Sequence, residues 1–295
     1  MARLNVVHMK GVLPADPLIY KSEDRQGAKF NIVVVRDKRK VENGTRTNMV
    51  MDRPTILTAD AKLIPYIEGL KKNDIIYVKG ALSTRKTIKT AICPECGETN
   101  HASGVLTYIT PISIEKTGSV NDKDEATAYL SMVRATSNEI NLLGMLTRDP
   151  KKVTPKSGLT ITQYQIAINR NYIVPEDPPE LRADYPWVKS YGEHAEEDRF
   201  RLMEGSIVII DGFLQSRIVK KHMECEYCGE KYDREDRTTE IVPYDTEYVK
   251  KFRSDEEVEE EKKRRMEQAW KDVLAQEDKI TEEDVAAGMD DFSEL

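Results

Sequence analysis

Apolar and polar residues alternate with a period of two along much of the first 250 positions, and the clearest alternation lies in residues 138–172. Ile140, Leu142 and Gly144 alternate there with Leu143 and Met145. A turn is expected at Asp149 and Pro150 and a loop at residues 155–158. Tyr164, Ile166 and Ile168 then share one face, with Gln163, Gln165, Ala167 and Asn169 on the other, which predicts two half-buried strands of a small barrel. The same pattern recurs at residues 29–35, where Phe30, Ile32 and Val34 share a face. A basic hairpin turned at Asn43 and Gly44 follows, then a third strand over 53–59 and a short helix over 63–70. Residues 75–92 read as a long strand rising into a hairpin, and 105–114 as its return. After residue 248 the period becomes helical, with Met266, Trp270, Val273 and Leu274 on one face; the closing residues 280–295 read as disordered.

The chain repeats itself. Asn5, Gly11, Leu13, Asp16 and Pro17 match Asn138, Gly144, Leu146, Asp149 and Pro150 at an offset of 133. Gly80, Leu82, Arg85, Lys89, Cys93, Cys96, Gly97 and Glu98 match Gly212, Leu214, Arg217, Lys221, Cys225, Cys228, Gly229 and Glu230 at an offset of 132. A near-constant offset over that distance indicates two copies of one unit. Residues 119–127 read as a linker, and the second copy carries a proline-rich insertion over 171–186 that reads as an irregular loop.

Gly144, Leu146, Asp149, Pro150, Ile166 and Ala167, with YGEHAE at 191–196 and EGSIVIIDGFLQSR at 204–217, resemble the bacterial and phage single-stranded-DNA-binding family. The resemblance spans roughly residues 138–245 and implies OB barrels, which are five-stranded and Greek-key. It also implies that the two copies pair through their first strands into a pseudo-dimer. The expected fold is mainly β: OB barrels at 1–118 and 128–248 with extended zinc-knuckle hairpins, a helix at 249–278 and an acidic tail at 279–295.

Net charge of −7 argues at first against a nucleic-acid partner, but its distribution reverses the inference. Residues 254–295 hold 16 acidic and 6 basic side chains, whereas residues 1–118 hold 19 basic and 12 acidic ones. A basic first third is masked by an acidic end. No apolar run approaches a membrane span, and residues 1–10 lack a secretory core, so a cytoplasmic location is expected.

Unpaired nucleic acid is held by stacking bases on aromatic faces and tracking phosphates with cations. By the family resemblance the stacking positions are Tyr172, Tyr185 and Tyr191, and Trp187 and Lys189 share the strand parity of the last two. The alternative for each ring is a place in the core. Arg36, Lys38, Lys40, Arg53, Arg85, Lys86 and Lys89 of the first copy, with Arg217 of the second, are the candidate phosphate contacts, the alternative being a solvated basic face.

Each copy carries one C-x-x-C-G, Cys93–Cys96 and Cys225–Cys228. A closed structural zinc site needs four ligands, so one ion shared by all four cysteines is the economical reading. The rivals are a nearby histidine, His101 or His222, completing each pair with a neighbouring chain, or unmetallated thiols. The end of the chain, with Asp290, Asp291 and Phe292, resembles the acidic tip with which bacterial family members dock replication and recombination proteins; a purely solubilising tail is the alternative.

No catalytic set emerges from the four histidines, and there is no phosphate-binding glycine loop. The expected function is coating of single-stranded DNA in replication, recombination or repair, by a non-enzymatic protein of phage or mobile-element origin that self-associates. An interaction scaffold that has lost nucleic-acid binding is the competing class.

Overall fold

The computed structural model describes residues 4–22, 25–36, 49–153, 158–170, 172, 174, 177 and 181–290, with side chains through Leu274. The first half contains β1 (Asn5–Val12), β2 (Leu18–Lys21), β3 (Gln26–Asn31), β4 (Val34–Arg36), β5 (Val50–Asp52), β6 (Thr55–Thr58), α1 (Ile64–Glu68), β7 (Asp74–Ile92) and β8 (Thr99–Ser119). Helix α2 (Lys123–Val133) leads to the second half. That half contains β9 (Asn138–Leu146), β10 (Lys151–Val153), β11 (Ile161–Asn169), β12 (Ala183–Asp184), β13 (Trp187–Tyr191), α3 (Gly192–Arg201), β14 (Ile207–Glu224) and β15 (Lys231–Lys250). Helix α4 (Asp255–Asp290) ends the described chain.

Each half is an OB barrel. In the second, β9 pairs with β14, β14 with β15, β15 with β13, β13 with β11, and β11 returns to β9 through Ile166 opposite Leu146. In the first, β1, β7, β8, β6 and β3 follow the same order, and a bridge between Val12 and Val33 closes the ring. The parallel contacts also correspond, Ile56 opposite Ile109 and Val188 opposite Ile241, both at the repeat offset of 132. Alternation produces this arrangement directly: in β11 the buried residues are Thr162, Tyr164, Ile166 and Ile168, every second position.

The two barrels share one 13-stranded sheet, because β1 and β9 pair antiparallel. Val7 lies opposite Ile140, Asn5 opposite Leu142, and Met9 opposite Asn138. The pseudo-dimer implied by the resemblance is therefore present within one chain. Their apolar interiors merge into one cluster that includes Val7, Met9, Ile140 and Leu142. Asn5 and Asn138 are buried at this seam, and each grips the main chain of the long strand beside it. Asn5 exchanges hydrogen bonds with the carbonyl and amide of Leu82 at 2.9 and 2.8 Å, and Asn138 does the same with Leu214 at 2.8 and 3.0 Å.

Strands β7 and β14 leave their barrels as long arms. The change of direction occurs where register shifts fall between Lys79 and Gly80 and between Asp211 and Gly212, opposite Pro111 and Pro243. A Cβ at Gly80 would lie 2.6 Å from the carbonyl oxygen of Thr110, and one at Gly212 would lie 2.4 Å from that of Val242. That close approach accounts for glycine at both repeat positions.

Two segments differ from their sequence reading. The expected linker at 119–127 runs into helix α2, because the Asp122 carboxylate caps the amides of Asp124 and Glu125 and Leu130 is buried against Val12, Val33, Val35 and Val120. Helix α4 extends to Asp290, through residues read as disordered. Its face of Met266, Trp270, Val273 and Leu274 is amphipathic as expected but exposed, while Val258 anchors the helix start. The tip of the basic hairpin at 37–48 lies outside the described residues; its flanks, β4 and β5, pair antiparallel.

Candidate nucleic-acid interface and metal centre

Strand β13 places the expected aromatic row on the outer wall of the second barrel. Val188 and Ser190 point into the interior, so Trp187, Lys189 and Tyr191 point out, and Tyr185 just upstream is 45% exposed. Arg148 lies over the Trp187 ring at 5.6 Å, and the Tyr191 hydroxyl accepts from Gln215 Nε2 at 3.3 Å. Tyr172 departs from this row. Its hydroxyl donates to the carbonyl of Leu82 at 2.9 Å and lies 2.7 Å from Ser83 Oγ, so it is fastened to the arm of the first repeat. Burial and the neighbouring Asp184 carboxylate raise its pKa well above the ordinary phenol value.

The candidate cations divide into two groups. Arg53 and Lys86 are exposed and carry no ion pair among the described residues. The others already have carboxylate partners: Arg85 with Asp177 at 3.0 Å, Lys89 with Asp236 at 2.5 Å, and both Lys189 and Arg217 with Glu240 at 2.6 and 2.9 Å. Glu240 itself is buried, so Lys189 serves first to neutralise it. Lys38 and Lys40 lie outside the described residues. Asp290 ends α4, and Asp291 and Phe292 lie outside the described residues as well.

Arg36, a phosphate contact in the sequence expectation, is engaged by protein groups. Its side chain is only 12% exposed, and the guanidinium bonds the buried Asp52 carboxylate at 2.7 Å. It also donates to Gln215 and covers the Phe213 ring at 4.7 Å, both in the opposite repeat. Arg170 and Asp184 form the corresponding pair in the second barrel, with bonds of 2.7 and 2.8 Å.

Each of these aspartates then reaches across the seam. Asp184 accepts from the Thr84 amide at 2.7 Å, and Asp52 accepts from the Ser216 amide at 2.8 Å. Thr84 and Ser216 are equivalent positions, as are Asp52 and Asp184. The two arms are thereby locked at their roots by a reciprocal pair of charge-assisted hydrogen bonds. This interlock escaped the sequence reading, although its signal was available as D-x-P at residues 52–54 and again at 184–186, offset by 132.

At the far end of the arms the four cysteines meet. Cys93 Sγ lies 3.7 Å from Cys228 Sγ, Cys96 Sγ lies 3.6 Å from Cys225 Sγ, and all four sulfurs are within 4.8 Å of one another. Ligands about 2.3 Å from a tetrahedral zinc are about 3.8 Å apart, so the cluster has the size of such a site. The sulfurs are too far apart to be bonded, and all four cysteines are free.

Identical turns present the thiols. The amide of Cys93 bonds the carbonyl of Glu98 and that of Gly97 bonds Cys93; Cys225, Glu230 and Gly229 repeat the pattern. Gly97 and Gly229 have φ of 75° and 74°, the left-handed region that favours glycine. Burial opposes ionisation of Cys225, but the Cys228 and Tyr227 amides and Asn100 outweigh it and lower its pKa to about 6.

Neither histidine rival joins the centre. Among the described residues the metal-ligating group consists of the four cysteines, and His222 instead pairs with Asp233 at 2.5 Å. The sulfur cluster joins the two repeats, as the shared-site reading requires.

Comparison with known proteins places this geometry. Residues 137–241 match the single-strand binding protein family. "Single-stranded DNA-binding protein 1" of Staphylococcus aureus strain MSSA476 is 34% identical over 80 residues, which cover 27% of this chain and 50% of that protein. The protein of the same name from strain COL is 32% identical over 80 residues, covering 27% and 47%. The chain thus spans about half the length of these relatives. Among solved structures, the wild-type single-stranded DNA binding protein from Thermus aquaticus superimposes with a TM-score of 0.55 at 19% identity. That alignment covers 86% of this chain and 97% of that one. A deletion mutant of the Thermus protein gives a TM-score of 0.58, covering 86% and 100%. These structures share the fold. Among the described residues no helix is long and apolar enough to cross a membrane.

Proposed function

We propose that this chain, whose second repeat is a domain of the single-strand binding protein family, binds single-stranded DNA through the outer wall of that repeat. The observation that carries the reading is the outward row of Tyr185, Trp187 and Tyr191 on and beside β13, inside the matched segment. Bases stack on these rings, an interaction that tolerates any sequence because every base has a π-face. Exposed Arg53 and Lys86 track phosphates. Lys189 and Arg217 frame the surface and share the one carboxylate of Glu240, which balances one of their two charges. Coating of unpaired DNA in replication, recombination or repair is the role that fits such a surface, and the acidic end at Asp290, Asp291 and Phe292 recruits other proteins of those processes.

The four cysteines hold one structural zinc ion. Four thiolates, the whole metal-ligating group among the described residues, suit zinc as a closed site, and the ion's contribution is to tie the arm tips together.

Fluorescence titration with oligo-dT tests the binding reading. The chain has two tryptophans, so a Trp270→Phe background isolates Trp187. Strong quenching is expected, with log affinity falling against log salt by about 0.7 per neutralised phosphate. An interaction scaffold without nucleic-acid binding predicts neither quenching nor a salt slope.

A further inference from the structure

Asn100 breaks the symmetry of the cysteine centre. It is 1% exposed and lies in β8, on the arm of the first repeat. Its Nδ2 donates to Cys225 Sγ at 3.3 Å, and its Oδ1 accepts from the Glu226 amide at 2.9 Å. Both contacts are made to the opposite knuckle. At the repeat offset of 132 the position equivalent to Asn100 is Tyr232, whose buried hydroxyl bonds no group of the Cys93–Cys96 knuckle among the described residues. The position equivalent to Glu226 is Pro94, which has no amide hydrogen to donate. An asparagine at 232 would therefore find only half of the partners that Asn100 finds.

We propose that Asn100 is a positioning residue of the metal centre: it reaches across the pseudo-dyad to hold the knuckle of Cys225 and Cys228 against the first arm. The proposal rests on the zinc reading above. An N–H···S bond fixes the direction of the Cys225 sulfur and takes up part of its negative charge, and the bond to the Glu226 amide fixes the turn that carries it. The knuckle of Cys93 and Cys96 has no such grip from the opposite side chain at 232. Cys96 and Cys228 are both exposed, so the missing grip and not exposure makes the first knuckle the one from which release of the ion begins.

The test compares metal transfer from the full-length, zinc-loaded protein to a chelating dye, together with the absorption bands of the cobalt-loaded form. Asn100→Ala is expected to retain one metal per chain while transferring it at least about tenfold faster, within the range typical of outer-shell partners. Asn100→Asp keeps the acceptor for Glu226 but loses the donor to sulfur. It also gives up the longer donation to the Glu98 carbonyl at 3.4 Å and sets a carboxylate beside the sulfur, and it should transfer faster still and shift the cobalt–thiolate bands. Combining Pro94→Glu with Tyr232→Asn supplies a reciprocal grip, which should restore slow transfer to Asn100→Ala. Unchanged transfer and unchanged bands in a metal-loaded Asn100→Asp protein would overturn the positioning role and leave the metal centre standing. Absence of bound metal from the unaltered chain would overturn both.

Discussion

Val7 and Ile140 occupy equivalent places in the two repeats and lie opposite each other where β1 pairs with β9. A local twofold axis therefore passes between them, and the cysteine cluster obeys the same axis. It exchanges Cys93 with Cys225 and Cys96 with Cys228, so the contacts of 3.7 and 3.6 Å are images of one another. Sheet continuity at one end and four sulfurs at the other hold the two halves in a fixed relation.

The asparagines beside that axis carry stability. Asn138→Ala should cost about 2–4 kcal/mol, because it orphans the buried amide and carbonyl of Leu214 at about 1–3 kcal/mol each. Asn5→Ala should cost a similar amount through Leu82. Urea unfolding of each variant measures it; a loss under about 0.5 kcal/mol, the scale of an ordinary surface substitution, would contradict the role.

Asp184 should be harder to replace than any carboxylate on the surface. Asp184→Ala leaves the Arg170 guanidinium with Asp177 alone and removes the acceptor for Thr84, so a loss of about 3–5 kcal/mol is expected. Arg36→Ala, if that residue served as a phosphate contact, would weaken DNA binding in proportion to its charge. The interlock instead predicts lower unfolding stability as its main effect.

Acid should loosen the arms. Burial of Asp236 favours its neutral form, but the Lys89 and Arg234 cations outweigh that and hold its pKa below the ordinary 3.8. A carboxyl depressed in the folded state contributes stability that is present above its unfolded pKa and lost as pH falls through the folded one. Hydrogen-exchange protection of residues 85–92 and 232–238 should therefore decline as pH falls below about 4, the unfolded carboxyl value. In Asp236→Asn this pH dependence should be weaker.

DNA binding should separate the cations by their partners. Arg53→Ala and Lys86→Ala should each reduce the salt slope by about 0.7, because each removes an unpaired charge that displaces counterions. Lys189→Ala should leave the slope nearly unchanged, since the buried Glu240 matches its charge. Trp187→Ala should weaken binding by about 1–3 kcal/mol, the scale of one lost stacking contact.

Chelation should act on the arm tips alone. Metal removal is expected to lower hydrogen-exchange protection around Cys93 and Cys225 while the barrel strands β1, β9 and β11 keep theirs, because those strands are closed by their own ladders. Collapse of protection throughout the sheet would show instead that the barrels depend on the metal.

Much of this was legible in the order of residues alone. Period-two alternation marks which side of β11 and β13 is buried, because a strand has only two faces, and the offset of 132–133 shows that one unit occurs twice. Local rules also place C-x-x-C-G turns at the arm tips. The sequence did not show whether a charge is free. Arg36 and Arg53 are both arginines beside strands of the first barrel, yet one is sealed against Asp52 and Phe213 and the other is exposed. That difference depends on which residues from the opposite repeat arrive alongside. The pairing of β1 with β9 decides it, together with the interlock at Asp52 and Asp184 and the grip of Asn100 on Cys225. These contacts join residues 100 to 164 positions apart, so no local pattern encodes them; they exist only once the two barrels have docked.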